Sequence, residues 1–265
     1  MEWWLAYMCL GAVVGFFAGL FGIGGGLIMV PVLSFLFGVQ GFVSDFIVHL
    51  ALGTSMAAII FTSIPSLLIH HMSRSVNWNI VRLIMPGIIF GTFCGVALAH
   101  NLPGRYLSIF IILFIYYFAT RMVINSTPNP NRILPGKIGI FTVGGFIGGL
   151  SSLVAIGGGT LTIPFLSACN VRLKHAIGIS APVSCIIAIV GTIGYIYSGI
   201  THSQILPEYS LGYIYLPALA GIVAFSMATA IIGAKVTHII ETKIIRKIFV
   251  ILLYILGTKM LISLF

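Results

Sequence analysis

Residues 19–31 read GLFGIGGGLIMVP, and residues 152–164 read SLVAIGGGTLTIP. Each places three consecutive glycines, Gly24 to Gly26 and Gly157 to Gly159, inside a strongly apolar stretch, with a proline five residues after the last glycine. Glycine and proline are the two poorest helix residues, yet the surrounding composition calls for helix. The apolar run over 5–37 would make a straight helix of about 50 Å at 1.5 Å per residue, against a hydrocarbon core of about 30 Å. One straight crossing does not fit, so the glycines are read as a break at which the chain turns back.

Composition sets the class. The chain has 265 residues, 59% of them hydrophobic and 6% charged, with a mean hydropathy of +1.17, far outside the range of soluble domains. Apolar runs over roughly 5–37, 50–69, 83–99, 106–124, 138–168, 176–199, 211–234 and 248–265 leave no room for a soluble domain of useful size. The net charge of +9 comes from 13 Lys and Arg scattered through short connections. Nothing forms the basic stripe that nucleic acid requires, so the expected partners are the lipid bilayer and a small solute, and any oligomer is unreadable. Cys9, Cys94, Cys169 and Cys185 lie singly in apolar runs without metal-ligand spacing, as packing residues do.

The sequence NSTPNPNRILPGK over 125–137 is the one linker rich in Pro, Asn and Gly. It divides the chain into a first membrane repeat (1–124), a cytoplasmic linker (125–137) and a second membrane repeat (138–265). The halves match beyond the glycine motif. Gly11, Gly15, Gly24, Gly25, Gly26 and Pro31 each recur 133 positions later, and Gly53, Ser55 and Pro86 have counterparts in Gly178, Ser180 and Pro217. Gly11, Gly15 and Gly19 also have the spacing of close helix packing.

The orientation of the halves follows from charge. If the first and fifth runs each turn back at their glycines, one side holds Arg74, Arg82, Arg121, Arg132, Lys137, Arg172, Lys174, Lys235, Lys243, Arg246 and Lys247, and the other only Arg105 and Lys259. Eleven against two is the bias expected of a cytoplasmic face. It puts both termini outside the cytoplasm, in an inner (plasma) membrane. Each half then makes an odd number of traversals. The expected fold is all-α and polytopic, with two inverted-topology repeats, each a Gly-broken helical hairpin plus three transmembrane helices.

Breaks at equivalent positions of an internal repeat point to a transporter site. Amides freed at a break cost several kcal/mol each in lipid, roughly, so such a break persists only inside protein or beside a cavity. A helix starting just after each cluster, at Leu27 or Thr160, aims its positive end and free amides at the break, which suits an anion. Only four acids exist, Glu2, Asp45, Glu208 and Glu241, all near span edges, which argues against a carboxylate relay for cations. The candidate binding residues are Gly24, Gly25, Gly26, Thr54, Ser55, Gly157, Gly158, Gly159, Thr160 and Ser180; Thr162, and less so Ser151 and Ser152, join them by position. Hydroxyls in spans also bond back to their own helix, and that alternative stands beside ligand contact. His49 is the candidate for a proton-linked role.

The glycine pattern GxxGxGGGxxxxP, the stretch HLALGTSMAAII from His49, and the layout of two four-run halves resemble the sulfite exporter TauE/SafE family of membrane transporters across essentially the whole chain. The resemblance implies a permease for sulfite, an organosulfonate or another small anion, without a cofactor. The second half departs from the pattern where Ser152 and Ala155 stand for Gly19 and Gly22. The expected function is secondary transport of a small anion by alternating access, with the halves rocking about a midplane site; an anion channel using the breaks as a filter is the alternative. An enzyme is not expected: no Ser-His pair, HExxH or carboxylate cluster is spaced for catalysis.

Overall fold

The computed structural model describes residues 2–21, 25–124, 134–202, 204–236 and 242–264. Gly24, Arg132, Glu241 and most of the expected linker lie outside them. The described residues form ten helices: α1 (Glu2–Phe21), α2 (Gly26–Val39), α3 (Ser44–Met72), α4 (Trp78–Asn101), α5 (Gly104–Ile124), α6 (Lys137–Val154), α7 (Gly159–Ala168), α8 (Leu173–Ile200), α9 (Leu216–Val236) and α10 (Thr242–Ile262). The one departure from helix is a two-stranded hairpin, β1 (Ser210–Leu211) with β2 (Ile214–Tyr215), where the sequence reads as the start of a span. Gly212, with φ of +56°, makes its turn. Six of these helices are long and apolar enough to cross a membrane. Large apolar side chains such as Phe90, Leu113, Phe146 and Ile193 stand exposed on the outside, as lipid-facing residues do. The protein is an all-α, multi-pass membrane protein.

The first and fifth apolar runs are both interrupted at their glycines, the first between α1 and α2, the second between α6 and α7. Gln40, just after α2, donates a 2.6 Å hydrogen bond to the Tyr7 hydroxyl in the second turn of α1. The first run therefore starts and finishes at one end of the molecule, which we call the first end. The second run starts and finishes at the other end, which we call the second end. There Phe141, early in α6, lies against Gly87, early in α4, and His175, early in α8 just after α7, bonds the Ser75 carbonyl at 3.0 Å.

Helices pair across the halves. α1 lies on α9, where Gly11, Gly15 and Gly19 face the backbone of Ile222, Ser226 and Ala230 so closely that no side chain could be accommodated. α6 lies on α4 in the same manner: Gly144 and Gly148 meet the Ile84 and Ile88 carbonyls, and Gly87 and Gly91 meet Phe141 and Gly145. Such contact lets helix backbones approach where no hydrophobic force drives association. α3 and α8, the most buried spans, cross at the centre, where a Cβ at Gly191 would lie 3.2 Å from the Met56 sulfur. Gly53 in α3 rests on the Tyr213 backbone and its counterpart Gly178 in α8 on the Ser75 backbone, so each central helix docks on the connection preceding a helix of the other half.

Candidate functional site

The two glycine breaks meet. A Cβ at Gly26 would overlap the Ala155 carbonyl oxygen and come within 2.8 Å of its carbon and 3.2 Å of Ile59 Cδ1. The start of α2 is thus pressed against the end of α6, at the level where α3 passes Ile59. Both segments are fully buried: Leu27, Ile28, Met29, Val154, Ala155 and Ile156 are each at most 1% exposed.

The turns differ. In the first break Gly25 takes φ of +75°, a left-handed conformation that glycine adopts without a Cβ penalty. Its carbonyl accepts the amides of Ile28 at 3.1 Å and Met29 at 3.2 Å. In the second break the left-handed residue is Ala155, at φ of +50°, and the Ser151 carbonyl accepts the Ile156 amide at 3.0 Å. The turn therefore falls on the residue that replaces a glycine of the first motif. Gly158 is right-handed, at φ of −53°, and is needed for space: a Cβ there would lie 2.6 Å from Val183 and 2.9 Å from Ile187.

Neither α2 nor α7 has a side chain capping its N-terminus; the backbone of the break itself takes the amides of Ile28, Met29, Thr160 and Thr162, and no side chain competes with a solute for the rest of each first turn. Pro31 and Pro164, the sixth residues of these helices, have no N–H, which also frees the carbonyls of Leu27 and Thr160 four residues earlier. Each break thus offers an uncapped helix start and one carbonyl freed by proline in a buried setting, with a partial positive charge of roughly half a unit at each helix start. No carboxylate lies in either break.

The hydroxyls divide into two groups. Ser180 donates to Ile177 O at 2.8 Å and Thr160 to Gly157 O at 3.3 Å, both within their own segments. Thr54, fully buried, accepts the Tyr215 amide at 3.0 Å and so ties the β-hairpin to α3. Ser55, Ser151 and Thr162 are fully buried with no hydrogen-bond partner. Ser151 is one turn before Ala155, and Thr162 is one turn after Gly158. Unpartnered buried hydroxyls are rare in native proteins, and of the hydroxyls singled out in the sequence these three are free to bind a solute. Thr162 and Ser151 carry no more signal in the sequence than their position beside a glycine cluster. Tyr195, wholly buried, donates to the Ser152 carbonyl at 2.9 Å, and its own carbonyl accepts the Tyr213 amide at 3.2 Å. The second break is thereby linked to the β-hairpin through one side chain.

His49 is not part of this centre. It lies ten residues before Ile59 on α3, about 15 Å along the axis, in a cavity of about 290 Å3 at the first end lined by Asp45, Phe46, His100, His202 and Tyr213 among others. Burial pushes the Tyr213 phenol up to about 12, so it stays protonated. This gathering of rings had no signal in the sequence, because its members come from α3, α4 and the connection after α8. Among the described residues no group of three or more His, Cys, Asp or Glu is placed to hold a metal ion.

The family model for the sulfite exporter TauE/SafE matches residues 7–260. A "probable membrane transporter protein" of Haemophilus influenzae is 38% identical over 97% of both chains. One from Methanocaldococcus jannaschii is 30% identical over 95% of this chain and 93% of its own, and one from Bacillus subtilis is 25% identical over 95% of each. No solved structure matches the chain significantly. The doubled glycine breaks and the span of the match agree: the chain belongs to the TauE/SafE sulfite exporter family of membrane transporters.

Proposed function

We propose that the protein is a secondary transporter that moves a small anion, sulfite or an organosulfonate, by alternating access, and that the anion binds between the two glycine breaks. The observation that carries this reading is the contact of Gly26 with Ala155: it sets the uncapped start of α2 against the turn that leads into the uncapped α7, in a buried place with unpartnered hydroxyls but no acid. Gly25, Gly26, Gly157, Gly158 and Gly159 supply backbone, Ser55 supplies a hydroxyl, and Thr162 and Ser151 join them; Thr160 and Ser180 turn towards the anion only by giving up their bonds within the helix. A pair of amide-lined helix ends suits a tetrahedral or pyramidal oxyanion for the same reason that it suits phosphate.

The inverted arrangement of the halves is supported by the opposite ends from which the two broken runs start and by the exchange of partners, α1 with α9 against α6 with α4. Orientation in an inner membrane, with both termini outside the cytoplasm, is supported by the gathering of Arg74, Arg82, Arg121, Lys137, Arg172 and Lys174 at the second end. The tight packing at the breaks favours a carrier in a closed state over a continuously open filter, and the reading assigns the protein no catalytic chemistry. The test is flux of labelled sulfite, sulfoacetate and unrelated carboxylates in proteoliposomes under imposed anion and pH gradients. Saturable uptake of the sulfur anions, lost on Gly158→Val in stably inserted protein, is the expected result; unselective or unsaturable conductance would sink it.

A further inference from the structure

We propose that the histidine cavity at the first end is a second, separate site that takes up a small oxyanion together with a proton, the proton going onto His49 Nδ1. The proposal rests on the anion-transport reading only for the identity of the solute that arrives there.

The tautomer of His49 is fixed by its surroundings. Its Nε2 is 2.9 Å from the Ala99 carbonyl, and a carbonyl only accepts, so Nε2 carries the hydrogen. The other nitrogen, Nδ1, then bears a bare lone pair, and it is buried with no partner in a residue only 3% exposed. His100 Nδ1 is also buried and unpartnered. His202 Nδ1 lies 3.1 Å from the hydroxyl of Tyr213 and 3.1 Å from that of Thr201. The rings form one cluster, with His100 and His202 5.6 Å apart, His49 and Tyr213 5.2 Å, and Phe46 and His202 4.9 Å between centroids.

A buried lone pair in the wall of a cavity serves either a cation or a proton, and the other groups decide between them. The described residues hold no metal-ligating constellation. The start of α5, at Gly104, opens on the cavity and contributes its positive end. Arg105 follows in the adjoining cavity. The charged and titratable groups around His49 are Asp45 on its own helix, His100 on α4, Arg105 on α5, and His202 and Tyr213 on the connection after α8; Glu208 lies exposed on that connection. Asp45 is the one carboxylate at the cavity, and it too is exposed, where water screens it.

A proton from water that adds to His49 Nδ1 turns the lone pair into an N–H donor and the ring into a cation. A buried cation without a counterion is disfavoured in an empty cavity, and an oxyanion accepting from Nδ1–H relieves it. Proton and anion therefore bind together, and on release the proton returns to water.

The test uses the full chain in detergent with methanesulfonate, whose own acid does not titrate near neutrality. Calorimetry between pH 5.5 and 8, in buffers of different ionisation heat, reads affinity and proton uptake together. We expect affinity to fall by up to about tenfold per pH unit through the upper part of this range, with uptake approaching one proton per anion. His49→Gln should abolish both the uptake and the pH slope, and His100→Gln should weaken them. Asp45→Asn should tighten binding, and Gly158→Val should leave this binding in place while stopping flux. The proposal is overturned by binding without proton uptake, by an unchanged slope in both histidine variants, by weaker binding in Asp45→Asn, or by no binding to Gly158→Val protein. Proton-linked binding without any flux of sulfur anions in the native protein would instead overturn the transport reading and leave this site standing.

Discussion

Replacing Gly26 with alanine tests the meeting of the two breaks most directly. The added methyl would overlap the Ala155 carbonyl oxygen and lie 2.8 Å from the carbon bearing it, against an ordinary carbon separation of about 3.5–4.0 Å. Relief therefore needs a shift of at least about 0.7 Å. The obstacle is backbone rather than the end of a flexible side chain, so α2 and α6 must part as units. Overpacking of this kind costs about 1–3 kcal/mol. If the packed arrangement is a state through which every transport cycle passes, that cost lowers its population about 5- to 150-fold, and the flux falls by a similar factor. Thermal unfolding in detergent should drop by on the order of 5 °C, leaving the protein inserted and measurable. Gly136→Ala is the control, since a Cβ there meets nothing within 4 Å and φ is −61°. Wild-type flux and unfolding temperature in Gly26→Ala protein would refute the reasoning, because no backbone contact this close can accept a methyl without movement.

Ser55→Ala and Ser180→Ala should separate despite their equivalent positions. The Ser55 hydroxyl is buried without a partner, so its loss should raise the KM for the anion several-fold and leave stability equal or better by up to about 1 kcal/mol; Ser180 already bonds Ile177 O, and its replacement should change KM by less than about twofold, both read from initial rates and unfolding temperatures. Thr54→Val removes the acceptor of the Tyr215 amide and leaves that amide buried and unpaired, so we expect about 1–3 kcal/mol of destabilisation and faster amide exchange confined to 210–215. The folded state favours the neutral Tyr213 phenol, whose pKa is pushed from 10 to about 12 by burial; the resulting stabilisation is complete below pH 10 and is lost as pH rises through 12, so the unfolding temperature should fall less steeply between pH 10 and 12 in Tyr213→Phe.

The breaks were legible because glycine and proline act locally: three glycines and a proline inside an apolar run have few explanations, and their recurrence 133 residues later excludes accident. The close packing of Gly11, Gly15 and Gly19 followed from spacing for the same reason. What the sequence could not supply is which unlike residues meet. Gly26 lies on Ala155, Tyr195 reaches Ser152, and His49 shares a cavity with His100 and His202; each pair joins segments at least 40 residues apart, and no periodicity records such meetings. The hydroxyls show the same limit. Thr160 and Ser55 look alike as polar residues in a span, and only the three-dimensional neighbourhood shows that one is satisfied and the other is not. The β-hairpin was hidden by its own apolar character, since Leu211, Ile214 and Tyr215 extend the hydrophobic pattern of α9 upstream past the true start of the helix.

Which parts move is constrained by the same packing. Rocking of the sequence halves against each other, the simplest picture for a duplicated transporter, would have to separate α1 from α9 and α6 from α4, and those pairs touch backbone to backbone over three turns. Contacts so close have no side chains that could slide or re-pack, so each pair behaves as a single body that contains helices of both halves. The looser joins lie elsewhere. α2 and α7 are short and Pro-containing, and Gly191 meets a Met56 side chain rather than backbone, the most adaptable neighbour a crossing can have. On the proposed alternating-access reading, access to the breaks would be gained by shifting the short helices α2 and α7 against the fixed pairs, while the β-hairpin stays tied to Thr54 and through Tyr195 to the turn before the second break. Under that proposal the two short helices, leading from the breaks to opposite ends, let the same local movement, made at one break and then at the other, open the site to each side in turn.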